Sequence, residues 1–308
     1  MRKNVKIIVF FLLFFNTLNA EINILSYNVE NLFDIEKDSI KSDGEFTPEG
    51  KRHWSYGKYQ KKVSRIAQVI TSAGKWEGFD MIGLMEIENR RCLNDLCKQL
   101  QGKYKILHYE SEDKRGIDVA VLYGQRAKII ENFPIKINLP NNSKTRDLLY
   151  VKAAIGGDTI FLIACHLPSQ LGGAKETELK RQIVKQTIQT QIDSILNRDE
   201  NAKIIVMGDM NCDPSNDLDK MTNITFEPKG EIRGTYKYQD EWSFLDQAYC
   251  SKALLEIVSY QIFIADWLVE LDEKYMGVKP KRTFIGFKYN DGYSDHLPLM
   301  IKIGKSTL

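Results

Sequence analysis

The stretch Lys203-Ile-Ile-Val-Met-Gly-Asp-Met-Asn211 sets an unbroken apolar run directly before a glycine, a carboxylate and a carboxamide. Lys203 to Met207 reads as a short, fully buried strand, and the polar residues mark where it ends. Upstream, Thr177 to Leu196 is the longest helical pattern in the chain. Its apolar face is Ile183, Val184, Thr187, Ile188, Ile192, Ile195 and Leu196. A strand that follows a helix points to parallel pairing. Further upstream, Leu148 to Ala154 and Thr159 to Cys165 flank Gly156-Gly157-Asp158, a hairpin signal that points to antiparallel pairing. Both kinds of connection together predict a mixed-sheet α/β domain in layers.

The same alternation extends to both ends. Glu21 to Tyr27 alternates polar and apolar as a half-buried strand does, and Tyr59 to Ile70 carries Val63, Ile66, Ala67 and Ile70 at helical spacing. Phe79 to Leu84, Ile117 to Tyr123, Ser259 to Ile264 and Leu299 to Ile303 read as further strands. No Pro/Gly/Ser-rich break divides this pattern, so residues 21–308 are read as one domain. The 308 residues are 43% apolar and 27% charged, which excludes disorder, collagen and coiled coil for the whole chain. The formal charge of +2 gives no strong field toward nucleic acid or acidic lipid, so a polyanion site must be local.

Residues 1–20 follow a different logic. Arg2, Lys3 and Lys6 precede the apolar run Ile7 to Phe15, and Leu18-Asn-Ala20 closes it. That order predicts a secretory signal peptide cut after Ala20, too short in its apolar run to span a bilayer. The expected location is the periplasm or the medium, with no stable membrane anchor. Cys92, Cys97, Cys165, Cys212 and Cys250 are odd in number and contain no C-x-x-C, which argues against a structural zinc. Cys92 and Cys97 could bridge only if their segment were irregular, because i and i+5 lie about 140° apart on a helix. Cys212 is left either free or paired with Cys250. Cys165 is expected to point away from His166 and to be buried.

Polar residues cluster where the strands end: Asn28 and Glu30; Glu86, Glu88 and Asn89; His166; Asp209 and Asn211; Asp246; Asp295 and His296. Loops at strand ends are where a rigid sheet displays reactive groups. Each alone is compatible with a turn or a cap; six together indicate one site. Carboxylates without a cysteine or three-histidine cluster suit a hard cation with oxygen ligands.

In order, Ser26-Tyr-Asn-Val-Glu-Asn31, Met85-Glu-Ile-Glu-Asn89, His166-Leu-Pro168, Gly208-Asp-Met-Asn211, Leu245-Asp246 and Ser294-Asp-His296 resemble the endonuclease/exonuclease/phosphatase superfamily. The resemblance spans essentially the whole of residues 21–308. Arg115-Gly-Ile-Asp118-Val-Ala and Arg282-Thr-Phe-Ile-Gly286 make it most similar to a bacterial, exported branch. It implies a deoxyribonuclease I-like fold, a four-layered α/β sandwich of two mixed β-sheets flanked by helices. It implies Mg2+ or Mn2+ at Glu86, with Asn28 and Asp295 beside it directly or through water. Asp209 and Asn211 would hold the attacking water and the phosphate. His296 would be base or transition-state stabiliser, oriented by Asp246. His166 would be a second acid/base or phosphate contact, with Asp118 as the candidate to orient it.

Arg115 and Arg282 are candidate substrate-binding residues. For Asp118, an ion pair with Arg115 is the competing explanation. His108, on the alternating segment Lys105 to Tyr109, is expected to be structural. The basic stretch Lys51 to Arg65 puts Lys58, Lys61, Lys62 and Arg65 on one helical face. That face is either a phosphate contact, with Trp54 or Tyr56 near bases, or a solvated helix surface. Tyr260, Phe263 and Trp267 are expected to pack in the core.

The functional expectation is an exported, metal-dependent endonuclease acting as a monomer on DNA or RNA phosphodiesters. The alternative is a lipid phosphodiesterase of sphingomyelinase type, or a sugar- or inositol-phosphate phosphatase. A lipid enzyme would call for an exposed apolar hairpin, and none is evident in the sequence. A non-enzymatic scaffold would have lost site residues, and none of this set is missing.

Overall fold

The computed structural model describes residues 21–38, 41–170, 173–225 and 232–304. The expected signal peptide, residues 1–20, lies outside them. In chain order the elements are β1 (Ile22–Leu32), α1 (Tyr56–Gly74), β2 (Met81–Ile87), α2 (Arg90–Gln99), β3 (Lys105–His108), β4 (Asp118–Tyr123), β5 (Lys128–Ile135), β6 (Leu148–Ile155), β7 (Asp158–His166), α3 (Ala174–Leu196), β8 (Lys203–Asp209) and β9 (Met221–Asn223). Then follow β10 (Tyr236–Tyr238), β11 (Glu241–Ser243), β12 (Asp246–Ser251), β13 (Val258–Ile262), β14 (Val269–Leu271), β15 (Val278–Pro280), β16 (Phe284–Ile285), β17 (Lys288–Tyr289) and β18 (Leu299–Ile303).

Two six-stranded sheets carry the fold, in the orders β13-β18-β1-β2-β4-β3 and β5-β6-β7-β8-β12-β9. Each has one parallel pair, β1 with β2 and β7 with β8, among antiparallel neighbours. In both cases a helix supplies the crossover, as parallel pairing demands. The sheets share one apolar core that includes Ile24, Leu84 and Val121 from the first and Val151, Leu162, Ile205 and Met207 from the second. The face of α1 that holds Val63, Ile66 and Ile70 joins the same core. On the far side, Val184, Ile188, Ile192 and Ile195 of α3 pack on Ile163, Ile204 and Val206. Each of these fully buried aliphatic side chains contributes about 1.5–3 kcal/mol of transfer free energy. The result is the α/β sandwich expected from the mixed connections.

The β6–β7 hairpin closes through Gly156 and Gly157 with φ of 60° and 93°, the paired positive angles of a type I′ turn. The short helix α2 is absent from the sequence reading. The Asn89 side chain caps it by accepting from the Cys92 backbone N at 3.0 Å. Its regular winding keeps Cys92 and Cys97 apart, and all five cysteines are free. Cys165 is buried, as expected from its strand register. Tyr260, Phe263 and Trp267 pack against the core. Among the described residues no helix is long and apolar enough to cross a membrane.

Candidate active site

Strand register does most of the assembly. His166 lies opposite Asp209 in the β7–β8 pair, and Asp209 lies opposite Asp246 in the β8–β12 pair. Gly208 is required here: its φ is 147°, and a Cβ would sit 1.8 Å from the Cys165 carbonyl oxygen. That close approach lets the two strands run together up to the catalytic end. In the other sheet, the β1–β2 and β2–β4 registers both slip around Glu86. Glu86 is thus a bulge residue with φ of 67°, and the bulge turns its carboxylate toward the site. Glu30, Asn31 and Asn211 also have φ of 50–55°. Positive φ in a non-glycine residue costs on the order of 1–3 kcal/mol and gathers at functional sites.

Asp209 is the hub. Its Oδ2 accepts from Asn28 Nδ2 at 3.0 Å and lies 3.6 Å from His166 Nε2 and 3.8 Å from His296 Nε2. Its Oδ1 accepts from the Asn211 backbone N at 2.9 Å. Burial, reinforced by the Asp246 charge and opposed by His296, pushes its carboxyl up to about 7. His296 Nδ1 contacts Asp246 Oδ2 at 2.7 Å, and both side chains are buried. Burial alone would lower this imidazole; the charges of Asp246 and Asp209 win and hold it well above its ordinary value. His166 is the opposite case. Burial lowers it, the Arg146 and Arg115 guanidiniums lower it further, and it is held well below the ordinary histidine range. One imidazole is therefore kept protonated and the other neutral, the split that acid–base chemistry uses.

Glu86 is half-buried. Its Oε2 accepts from the Asn31 backbone N at 2.8 Å, and its Oε1 lies 3.9 Å from His166 Nε2 and 3.5 Å from Asn28 Nδ2. An oriented carboxylate facing further carboxylates, with no thiolate, fits a hard divalent cation. Glu86 would hold it. Asn28 presents its amide N–H, not its oxygen, to Glu86 and Asp209, because its Oδ1 accepts from the Glu30 backbone N. In this arrangement Asn28 orients the two carboxylates beside the expected cation. Asp295 remains near His296, 3.9 Å from Nε2, with its Oδ2 held by Arg282 Nη2 at 2.7 Å. Among the described residues, the tight three-ligand groupings lie elsewhere, at Asp34, Glu88 and Cys92 and at His108, Glu110 and Asp118.

Asp118 is a correction. It pairs with His108 Nε2 at 3.2 Å and accepts from the Ser111 backbone N at 3.0 Å. Among the described residues His166 Nδ1 has no hydrogen-bond partner, and none holds it as Asp246 holds His296. The proposed Asp118–Arg115 pair is not formed either; Arg115 lies 3.8 Å from Asp113 and is exposed. Its charge still reaches His166. Arg282 faces the site but is already engaged, by Asp295 and, at 3.6 Å, by Glu30.

The basic face of α1 is largely not free to meet a phosphate. Lys62 is buried and donates to Thr283 Oγ1 and to the Tyr293 carbonyl at 2.6 Å, which anchors the chain leading into Ser294-Asp295-His296. Burial lowers its ammonium to about 8, against the raising effect of Glu30. Lys61 and Arg65 both pair with Asp291. Trp54 is buried, its Nε1 donating to the Phe33 carbonyl.

Sequence reasoning missed several site neighbours. Arg146 is buried beside His166 and donates to the Leu167 carbonyl at 2.8 Å. Tyr236 bridges to His296 with ring centroids 5.0 Å apart. Ser294 Oγ donates to the Asn28 carbonyl at 2.7 Å, tying the loop before β18 to β1 at the site. An arginine in Thr145-Arg-Asp147, just before an apolar strand, is the signal that could have exposed Arg146.

The family model described as the Endonuclease/Exonuclease/phosphatase family matches residues 23–305. No curated protein sequence matches the chain. Among solved structures, truncated TDP2 from C. elegans is similar with a TM-score of 0.64 at 18% identity, over 94% of this chain and 100% of that one. A mannosyl-6-phosphatase from Bacteroides thetaiotaomicron is similar with a TM-score of 0.59 at 16% identity, over 91% and 98%. The human Nocturnin catalytic domain with bound sulfate gives 0.56 at 15% identity, over 92% and 93%. At these identities the likeness shows the fold.

Proposed function

The chain belongs to the endonuclease/exonuclease/phosphatase family, and from that premise we propose that it is an exported, Mg2+- or Mn2+-dependent endonuclease hydrolysing DNA or RNA phosphodiesters. The observation that carries the reading is the convergence of both imidazoles and Asn28 on Asp209 Oδ2 beside Glu86. Asp209, titrating at about 7, accepts the proton of the attacking water, and Asn211 helps hold that water and the phosphate. His296, kept protonated by Asp246, faces the phosphoryl oxygens as a fixed positive charge. His166, neutral, contacts the phosphate or leaving group. A divalent cation at Glu86 would supply Lewis-acid polarisation of the phosphoryl group and neutralise the leaving oxygen. Arg282 and Arg115 provide positive charge at the rim.

A second reading, a lipid phosphodiesterase, draws on exposed apolar residues that the sequence did not reveal. Leu271 and Met276 are 76% and 78% exposed on the β14–β15 hairpin, and Tyr238 is 65% exposed on the adjoining β10–β11 hairpin. Lys237 links the two hairpins through the Met276 carbonyl at 2.8 Å. One experiment separates the readings. Purified protein is incubated with Mg2+ or Mn2+ and with single- and double-stranded DNA, RNA, sphingomyelin vesicles, mannose 6-phosphate and inositol phosphates. Nucleic-acid cleavage that excess EDTA abolishes is expected. Turnover of sphingomyelin alone, or of monoesters alone, would overturn the nuclease reading. Export is tested by the N-terminus of protein recovered from the periplasm or medium, expected at Glu21.

A further inference from the structure

The β16–β17 hairpin stands beside the site and takes no part in the chemistry above. Its two-residue loop is Gly286-Phe287, with Gly286 at φ of 62° in the first position, as a type II′ turn requires. Phe287 is 56% exposed at the tip. This ring is held in place by its neighbours. Arg52 Nη1 donates to the Gly286 carbonyl at 2.9 Å. The Arg52 guanidinium lies 4.7 Å from the Phe284 ring, 4.8 Å from Phe46 and 5.4 Å from Phe287. Phe284 is buried against Phe46, Trp54 and Tyr289. The hairpin is thus pinned to the body at both base and tip.

Two further features point to a ligand. Lys51 Nζ lies 5.7 Å from the Phe287 ring centroid, so the exposed ring is framed by cations. The hairpin also opens directly onto the reacting centre. A cavity of about 210 Å³ is lined by Glu30, Asn31, Arg52, Arg282, Phe284 and Gly286. Two of these touch the site already described: Arg282 holds Asp295, and the Asn31 backbone N holds Glu86.

We propose that Phe287, beside Lys51 and Arg52, is a stacking shelf for an unpaired nucleobase next to the reacting phosphodiester. The proposal rests on the nuclease reading and narrows it to single-stranded or locally opened nucleic acid. An exposed ring with a lysine beside it suits one base and its neighbouring phosphate, while Arg52, paired with Glu45, holds the hairpin in place. In a duplex both faces of each base are already stacked, so only a splayed base can use the shelf. A bilayer would favour an apolar tip free of the body. Here Arg52 ties the tip down, and Lys51 and Lys288 flank it with charge.

The test compares wild type, Phe287→Ala and Phe287→Trp on a single-stranded oligonucleotide and on bis(p-nitrophenyl) phosphate. Loss of one base–aromatic stack should lower oligonucleotide kcat/KM, relative to that for the small diester, by about 5- to 100-fold. Phe287→Trp should restore most of it. An abasic residue beside the cleaved bond should reproduce the loss in wild type and add little in Phe287→Ala. Trp76→Ala removes a fully exposed aromatic far from the hairpin and should change nothing. An unchanged kcat/KM ratio in Phe287→Ala, in a protein that cleaves oligonucleotides, overturns the shelf alone. So does a variant that loses only its binding to phosphatidylserine vesicles. A wild-type protein that cleaves sphingomyelin or sugar phosphates but no oligonucleotide overturns the nuclease reading, and the shelf with it.

Discussion

Replacing Asp246 with Asn tests the electrostatic core of the site with little change of shape. The carboxylate contacts His296 Nδ1 at 2.7 Å, and both groups are out of water. Removing one partner of a buried ion pair ordinarily costs about 3–5 kcal/mol. The lower end applies here. Asp209 and Asp295 remain 3.8 and 3.9 Å from Nε2, so the imidazolium is not left without counter-charge. About 3 kcal/mol corresponds to roughly a hundredfold weaker preference for the protonated ring. If the protonated ring stabilises the transition state, turnover falls by about the same factor, within the usual range for acid–base groups.

The pH dependence fixes the sign. Asp246 and Asp209, against the effect of burial, hold the wild-type ring above the unfolded value of about 6.5. Its stabilising contribution is therefore complete below that value and is lost as pH rises through the higher folded value. Asp246→Asn should destabilise the protein most at acid and neutral pH, with the difference narrowing at alkaline pH. The alkaline limb of the kcat profile should move to lower pH. Urea unfolding at several pH values, kcat against pH on bis(p-nitrophenyl) phosphate, and an NMR titration of the ring are the measurements. Wild-type turnover in the variant, or an alkaline limb that does not move, would refute the reasoning.

Two further substitutions follow from the corrections at the site. With Asp209 accepting the proton and titrating at about 7, activity should climb as pH rises through that region. His166→Gln should cut turnover by about 10²-fold and keep that acid limb; disappearance of the limb would assign the proton to His166. Asp118→Asn should lower stability by about 1–3 kcal/mol in urea unfolding, because it removes the charge and one of the two carboxylate oxygens that meet His108 and Ser111. Its pH–rate profile should keep the wild-type shape, and a loss of turnover as deep as that of His166→Gln would return Asp118 to the reacting groups.

What the sequence discloses, and what it hides, follows from range. An apolar run broken by Asp, Asn or His is a local signal, so the strand ends at Asn28, His166, Asp209, Asp246 and His296 are readable one by one. Their assembly also follows, because mixed connections leave few ways to arrange two sheets. Partners of single side chains are decided elsewhere. Lys62 shares a helical face with Lys58 and also lies one turn from Tyr59 and Ile66. Only the acceptors at Thr283 and Tyr293, more than 200 residues away, draw it inward. Asp118 opens β4, where a one-residue change in register would turn it toward the other face. The Glu86 bulge carries no sequence mark, and α2 went unread although Asn89, Leu93 and Leu96 stand at capping and helical spacing.

The charges at the site are of the kind that a protonated imidazole and a divalent cation would balance. Burial raises Glu30 and Asp209, and the neighbouring charges of Asp295 and Asp246 respectively raise them further. A pocket of this kind repels the phosphate ester that it would have to admit. The protein answers with Lys62 and Arg282 among the carboxylates, yet both are committed to partners inside the fold. Within the pocket, positive charge free to meet a phosphate would therefore come from His296 and from a cation at Glu86, with the exposed Arg115 at the rim. The carboxylates that repel substrate are the ones that keep His296 protonated and make the pocket attractive to a divalent ion. Neutralising one of them should thus fail to ease substrate entry, because the counter-charges it sustains leave with it.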